Sequence, residues 1–74
     1  MPDDSQEIPP FIMLQLETAQ SRFVDKKVFF KDGQVKTAVE AYPLQHEDNN
    51  DWYVVVDFSD RTYWSYEDLI TAIH

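Results

Sequence analysis

Residues 52–70 read WYVVVDFSDRTYWSYEDLI, and this stretch decides the fold. Trp52, Val54, Val56 and Phe58 alternate with Tyr53, Val55 and Asp57. That is the period of two of a β-strand with one apolar face. Ser59-Asp60 follows as a tight turn, and a shorter strand at about Arg61–Trp64 returns from it. Ser65 stands three residues before Asp68, a capping-box spacing with Asp in the place usual for Glu. Tyr66, Leu69, Ile70 and Ile73 continue at i, i+3, i+4 and i+7, an apolar helical stripe that must dock on the sheet.

Working outward, KKVFFKDGQVKTAVEAY (Lys26–Tyr42) places Asp32-Gly33 between two β-rich runs. Asp-Gly is a strong hairpin signal, because a type I′ turn needs positive φ at both central residues. Gly33 is the only glycine in the chain. The pattern predicts one strand at about Lys27–Lys31 and a second at about Gln34–Tyr42. Val35, Thr37, Val39 and Ala41 would share a face of the second, and Pro43 would end it. Residues 43–51, PLQHEDNND, read as a polar loop.

Earlier in the chain, FIMLQLETAQSRF (Phe11–Phe23) fits a helix. Ile12, Leu16, Ala19 and Phe23 fall at i, i+4, i+7 and i+11, with Phe11, Leu14 and Thr18 on another side. Pro10 suits a first helical turn, where its missing N–H costs nothing. The alternation of Ile12, Leu14 and Leu16 also fits a strand, but length favours the helix. Residues 1–9 read as a frayed or disordered terminus, and 10–74 as a single domain. The expected fold class is α+β: an N-terminal helix, a small four- to five-stranded antiparallel open barrel of SH3/Sm-like type, and a short C-terminal helix. Four short strands cannot bury both faces unless the sheet curls or helices cover it.

The 74 residues carry 6 Lys+Arg against 14 Asp+Glu, a formal net charge of −8. Such a surface argues against direct nucleic-acid binding, which needs a basic face, and against an anionic membrane. With no cysteine there is no disulfide framework, zinc-thiolate site or thiol nucleophile. No apolar run has transmembrane length, and no leader peptide is evident, so a cytoplasmic location is expected. A hydrophobic content of 43 % is too rich for a disordered chain. The charge is also segregated: residues 1–21 sum to −4, 22–36 to +3 and 37–74 to −7. One basic band, with Lys26, Lys27, Lys31 and Lys36, divides two acidic ends. It could pair with the acidic tail or form a second contact patch.

Catalysis finds little support. His46 lies in a polar loop and His74 is the last residue, so no hydroxyl is expected beside a held base. The group His46, Glu47, Asp48 and Asp51 matches no metal-site spacing. Adjacent Glu67 and Asp68 read most simply as acids that offset a helix dipole. No enzyme activity, metal or cofactor is expected. The aromatics say more: Trp52, Tyr53, Phe58, Tyr63, Trp64 and Tyr66 crowd into fifteen residues. Trp52, Phe58 and either Tyr63 or Trp64 should point inward. Tyr53, Tyr63 and Tyr66, with Asp57 or Asp60 as counter-charge, could form an aromatic cage for a cationic group, or simply cover a small core. The acids of 37–74 steer basic partners; at the least they keep the domain soluble.

The segment Val28–Ile70 resembles the small β-barrel superfamily that includes SH3-like, Tudor-like and Sm-like domains. Lys31-Asp32-Gly33, Thr37-Ala38-Val39 and Trp52–Ile70 carry the resemblance. Ser59-Asp60 departs from the Asp-Gly of a Tudor-like second turn, and the leading helix is closer to the Sm-like arrangement. Within that arrangement the "KDG" hairpin and aromatic-Val-Val strand are similar to the Rof-type acidic inhibitors of Rho. The resemblance implies a non-enzymatic module that binds a basic surface of a larger protein and blocks or regulates a nucleic-acid-binding site there. The expected contact residues are Glu47, Asp48, Asp51, Tyr53, Asp57, Asp60, Tyr63, Tyr66, Glu67 and Asp68. A Tudor-like likeness implies instead an aromatic-cage reader of methylated or cationic peptides, with a nuclear location. The apolar segment Phe11–Leu16 would pack on its own barrel or dock on a larger assembly.

Overall fold

A computed structural model of the chain describes residues 8–73. Helix α1 spans Pro10–Arg22 and helix α2 spans Tyr66–Ala72. Between them run β1 (Lys27–Phe29), β2 (Val35–Gln45), β3 (Trp52–Phe58) and β4 (Tyr63–Ser65). The four strands form one antiparallel sheet in the order β1-β2-β3-β4. The sheet is unclosed. Phe30 forms a single antiparallel bridge to Ile73, and the Lys31 N–H donates to the Ala72 carbonyl at 2.8 Å. This α+β arrangement is compatible with a small barrel.

Residues 10–22 are helical and Phe23 is the C-cap, so the alternative strand is set aside. Pro9 is the N-cap and Pro10 fills the first turn. The expected stripe faces the core: Ile12, Ala19 and Phe23 are buried and Leu16 is half-buried, while Phe11 and Leu14 are exposed. Most of the expected frayed stretch, residues 1–7, lies outside the described residues, as does His74. Ile8 packs against the core. At α2 the Ser65 side chain accepts from the Asp68 N–H at 3.3 Å, the cap that the sequence spacing implies.

Both helices pack on one face of the sheet. Val54, Val56 and Phe58 of β3 meet Ala38 and Ala41 of β2, Val28 and Phe30 around β1, and Leu69 and Ile73 of the C-terminal segment. Burying a side chain such as Leu69, 0 % exposed, contributes on the order of 2–3 kcal/mol. Trp64 fills the place left open between it and Tyr63: its ring lies 5.4 Å from Phe30, whereas Tyr63 is 72 % exposed.

Several expectations are corrected. The ladder between β2 and β3 shifts register at Ala38/Glu40. This bulge puts Ala38 and Ala41, three apart, on the same inner face, and leaves Val35 and Val39 exposed. The period-two face of Val35, Thr37, Val39 and Ala41 therefore breaks. Pro43 does not end β2; it pairs with Val54 inside the strand. Its missing N–H is tolerated because β1 pairs only with Val35–Thr37, so this half of β2 is an edge. Strand β4 starts two residues later than expected. Ile70 is 41 % exposed and does not help close the core, since α2 is too short to wrap both of its apolar sides around the sheet. Val55, expected on the open face, is only 2 % exposed.

The two hairpin turns share one geometry. The Phe30 N–H donates to Gln34 and the Gly33 N–H to Phe30; likewise the Phe58 N–H donates to Thr62 and the Arg61 N–H to Phe58. Each is a three-residue loop with a left-handed residue at its third position, Gly33 at φ 94° and Arg61 at φ 71°. Asp32 has no positive φ, so the expected type I′ turn is replaced by a turn with a G1-type bulge. In both loops the aspartate, Asp32 or Asp60, accepts a backbone N–H two residues on, at 3.0 and 3.1 Å. The phenylalanines that open the loops, Phe30 and Phe58, meet edge to face at 5.7 Å.

Candidate functional site

The face of the sheet opposite the helices carries the first group of candidate residues. Register sets three rows across it: Glu40, Asp57 and Tyr63; Tyr42, Val55 and Ser65; Leu44 and Tyr53. The Tyr42 hydroxyl donates to the Asp57 carboxylate at 3.2 Å, which fixes both on this side. Burial, then the Asp57 charge and this hydrogen bond, raise the Tyr42 hydroxyl above its usual pKa of 10.0. The His46 ring stacks on Tyr53, centroids 4.2 Å apart. Tyr42 and Tyr53 are half-buried and Leu44 is 40 % exposed. Val55, buried, lies in the ladder between Tyr42 and Ser65. These rows contain three tyrosines and two acids and no lysine or arginine.

A second group lies at the start of β3. Pairing with β4 stops at Val55–Ser65, so Trp52–Val54 runs on beside a cleft of about 500 Å³. Ile12 and Gln15 of α1, Ser65 to Asp68 at the start of α2, and His46, Asn49 and Asp51 of the loop before β3 complete its lining. Tyr66 is braced from behind by Phe23, ring centroids 6.3 Å apart. The loop is ordered by its own bonds. The His46 N–H donates to Asp51 at 2.8 Å, the Asp51 N–H to the Asn49 side chain at 3.0 Å, and Asn50 takes φ 60°.

The ten expected contact residues thus fall into separate places. Asp51, Tyr53, Tyr66, Glu67 and Asp68 line the cleft. Asp57 and Tyr63 share the outer face with Tyr53, which borders both. Tyr63 is not among the residues that line the cleft with Tyr53 and Tyr66. Glu47 and Asp48 are exposed in the loop between β2 and β3. Asp60 is engaged internally. Hydrogen bonds from the Thr62 hydroxyl and N–H, then Lys36, hold its carboxyl down at about 2. The Lys36 Nζ sits 3.2 Å from it and also donates to Thr62. Among the described residues this is the one ion pair, so the rest of the basic band does not neutralise the acidic segment. Reading by residue type missed Tyr42, Leu44 and Trp52. Tyr42 could be found only from the register, which pairs it with Val55.

Among the described residues no group of three or more His, Asp or Glu is placed to hold a metal ion. No helix among them is long and apolar enough to cross a membrane. No family model, curated protein or solved structure matches this chain.

Proposed function

We propose that this chain is a non-enzymatic acidic interaction module that binds a basic surface of a larger protein and blocks or regulates a nucleic-acid-binding site there. One observation carries the reading: the sheet face left uncovered by both helices presents Tyr42, Tyr53 and Tyr63 beside Glu40 and Asp57, with no lysine or arginine in these three rows. Tyrosines are frequent anchors of interfaces, and a charged rim sets partner choice and encounter rate. The likeness to Sm-like barrels and to the Rof-type inhibitors of Rho supports the same reading, with carboxylates standing where phosphates would bind. The cage-reader alternative has less support, because Tyr63 does not line the cleft that Tyr53 and Tyr66 share.

Affinity capture on the immobilised protein, eluted with a salt gradient, tests the proposal. A nucleic-acid-binding protein should elute at moderate salt, since rim charges act over about 8–10 Å. Its capture should be lost in the Asp57→Asn, Tyr63→Ala double variant. Capture indifferent both to salt and to this variant overturns the reading.

A further inference from the structure

The proposed contact on the outer face leaves unused the cleft at the start of β3, whose lining combines aromatic and acidic side chains. Its apolar and aromatic members are Ile12, Trp52, Tyr53, Val54 and Tyr66; its acids are Asp51, Glu67 and Asp68. No lysine or arginine lines it. None of the three acids has an ion-pair partner among the described residues.

We infer that this cleft seats one arginine side chain, presented on an exposed segment of the basic partner proposed above. Three features select that occupant. The volume, about 500 Å³, lies within the roughly 300–1,000 Å³ of ordinary ligand pockets. The aromatic and aliphatic walls suit the long apolar stem of a cationic side chain, whose head stays among polar groups. The carboxylates suit a guanidinium, which hydrogen-bonds to them in a fork and stacks on aromatic faces in a way that lysine does not. An anionic ligand would meet three carboxylates and no cation. An apolar side chain would strip water from those carboxylates with nothing in return. Dipole compensation in α2 accounts for Glu67 and Asp68. It does not account for Asp51, on a separate loop, or for the aromatic lining. Because Tyr53 borders both cleft and face, a segment anchored in one continues onto the other.

The test uses the isotope-labelled full chain and three blocked peptides, acetyl-Gly-X-Gly-amide with X arginine, lysine or citrulline. Citrulline keeps the shape of arginine and removes its charge. The arginine peptide should give saturable shifts of the Trp52 indole N–H and of the Ser65–Asp68 amides. The citrulline peptide should bind at least about tenfold more weakly, the loss expected for a charge-assisted hydrogen bond, and the lysine peptide should lie between. Glu67→Gln with Asp68→Asn should weaken arginine binding about tenfold. Asp51→Asn, which has no helix to perturb, should weaken it in the same direction while the spectrum stays dispersed. The inference is overturned by no saturable shift in the tens-of-millimolar range, by equal binding of the citrulline peptide, or by shifts confined to Tyr63 and Glu40. Salt-sensitive capture that needs Asp57 and Tyr63 but ignores Asp51, Glu67 and Asp68 leaves the outer-face reading standing and removes the cleft. Specific arginine binding in the cleft, with capture indifferent to salt, supports the cleft and removes the broader reading.

Discussion

Replacing Arg61 by glycine should stabilise this protein. Arg61 holds φ 71° at the third position of its loop, where the matching loop has Gly33. For a residue with a Cβ, a left-handed conformation costs roughly 1–2 kcal/mol. Glycine removes that strain but gives back about 0.5–1 kcal/mol through the greater freedom of the unfolded chain. The Arg61 side chain offsets nothing, since it is exposed and makes no hydrogen bond or ion pair among the described residues. The net gain is about 0.5–1 kcal/mol, a rise in melting midpoint of about 2–8 °C for a domain of this size. Gly33→Ala is the mirror experiment. An added Cβ there meets nothing within 4 Å, so any loss is backbone strain alone, and φ 94° is further from the left-handed minimum than Arg61. It should lower the midpoint by a similar amount. Gly33→Asn should be milder, and Gly33→Val more severe. Calorimetric melts of the variants are sufficient. A fall in midpoint for Arg61→Gly, or a rise for Gly33→Ala, would refute the reasoning about both loops.

Other measurements address the core, the acids and the interface. Leu69→Ala should cost about 2–5 kcal/mol, against well under 1 kcal/mol for its half-open neighbour Ile70→Ala; comparable urea midpoints would mean that α2 docks by a different side. Asp60 titrates at about 2 in the folded chain, below its ordinary 3.8. The native state therefore binds this proton less readily than the unfolded state. The stability it contributes is present above about pH 4 and is lost as pH falls toward 2; Asp60→Asn should flatten that part of the acid-unfolding curve, and an unchanged curve would contradict the Thr62 and Lys36 contacts. Tyr63→Ala should speed dissociation from a captured partner, whereas Glu40→Gln with Asp57→Asn should chiefly slow association. Surface plasmon resonance separates the two, and a reversed pattern would count against tyrosine anchors.

What could be read in the sequence was local. Strand β3 begins at Trp52 and ends at Phe58 as its alternation implies, and the Ser65 cap follows from one side chain and one N–H three residues on. The stripe of Ile12, Leu16, Ala19 and Phe23 is likewise a property of a single helix. What escaped depends on pairing. The bulge at Ala38/Glu40 belongs to two strands at once, and nothing in TAVEAYP marks the residue at which the inner face changes parity. Pro43 reads as a terminator until β1 proves too short to cover it. The same dependence governed the site. Asp60 has the composition of a contact residue, yet its own turn and a lysine distant in sequence occupy it. Tyr42, unremarkable by position, becomes part of the candidate face once it lies opposite Val55.

The seam between Phe30 and Ile73 has a consequence for motion. Among the described residues, one bridge and the bond from the Lys31 N–H to the Ala72 carbonyl are the backbone ties between the first strand and the end of the second helix. So thin a joint can part without the rest of the sheet separating, and the Lys31 amide should exchange with solvent deuterium much faster than amides in the middle of β3. Parting would uncover Phe30 and Phe58 together and free the start of the hairpin to swing. The last turn of α2 thus sits as a latch on the first strand, and shortening or tethering that turn would tune how often this seam opens.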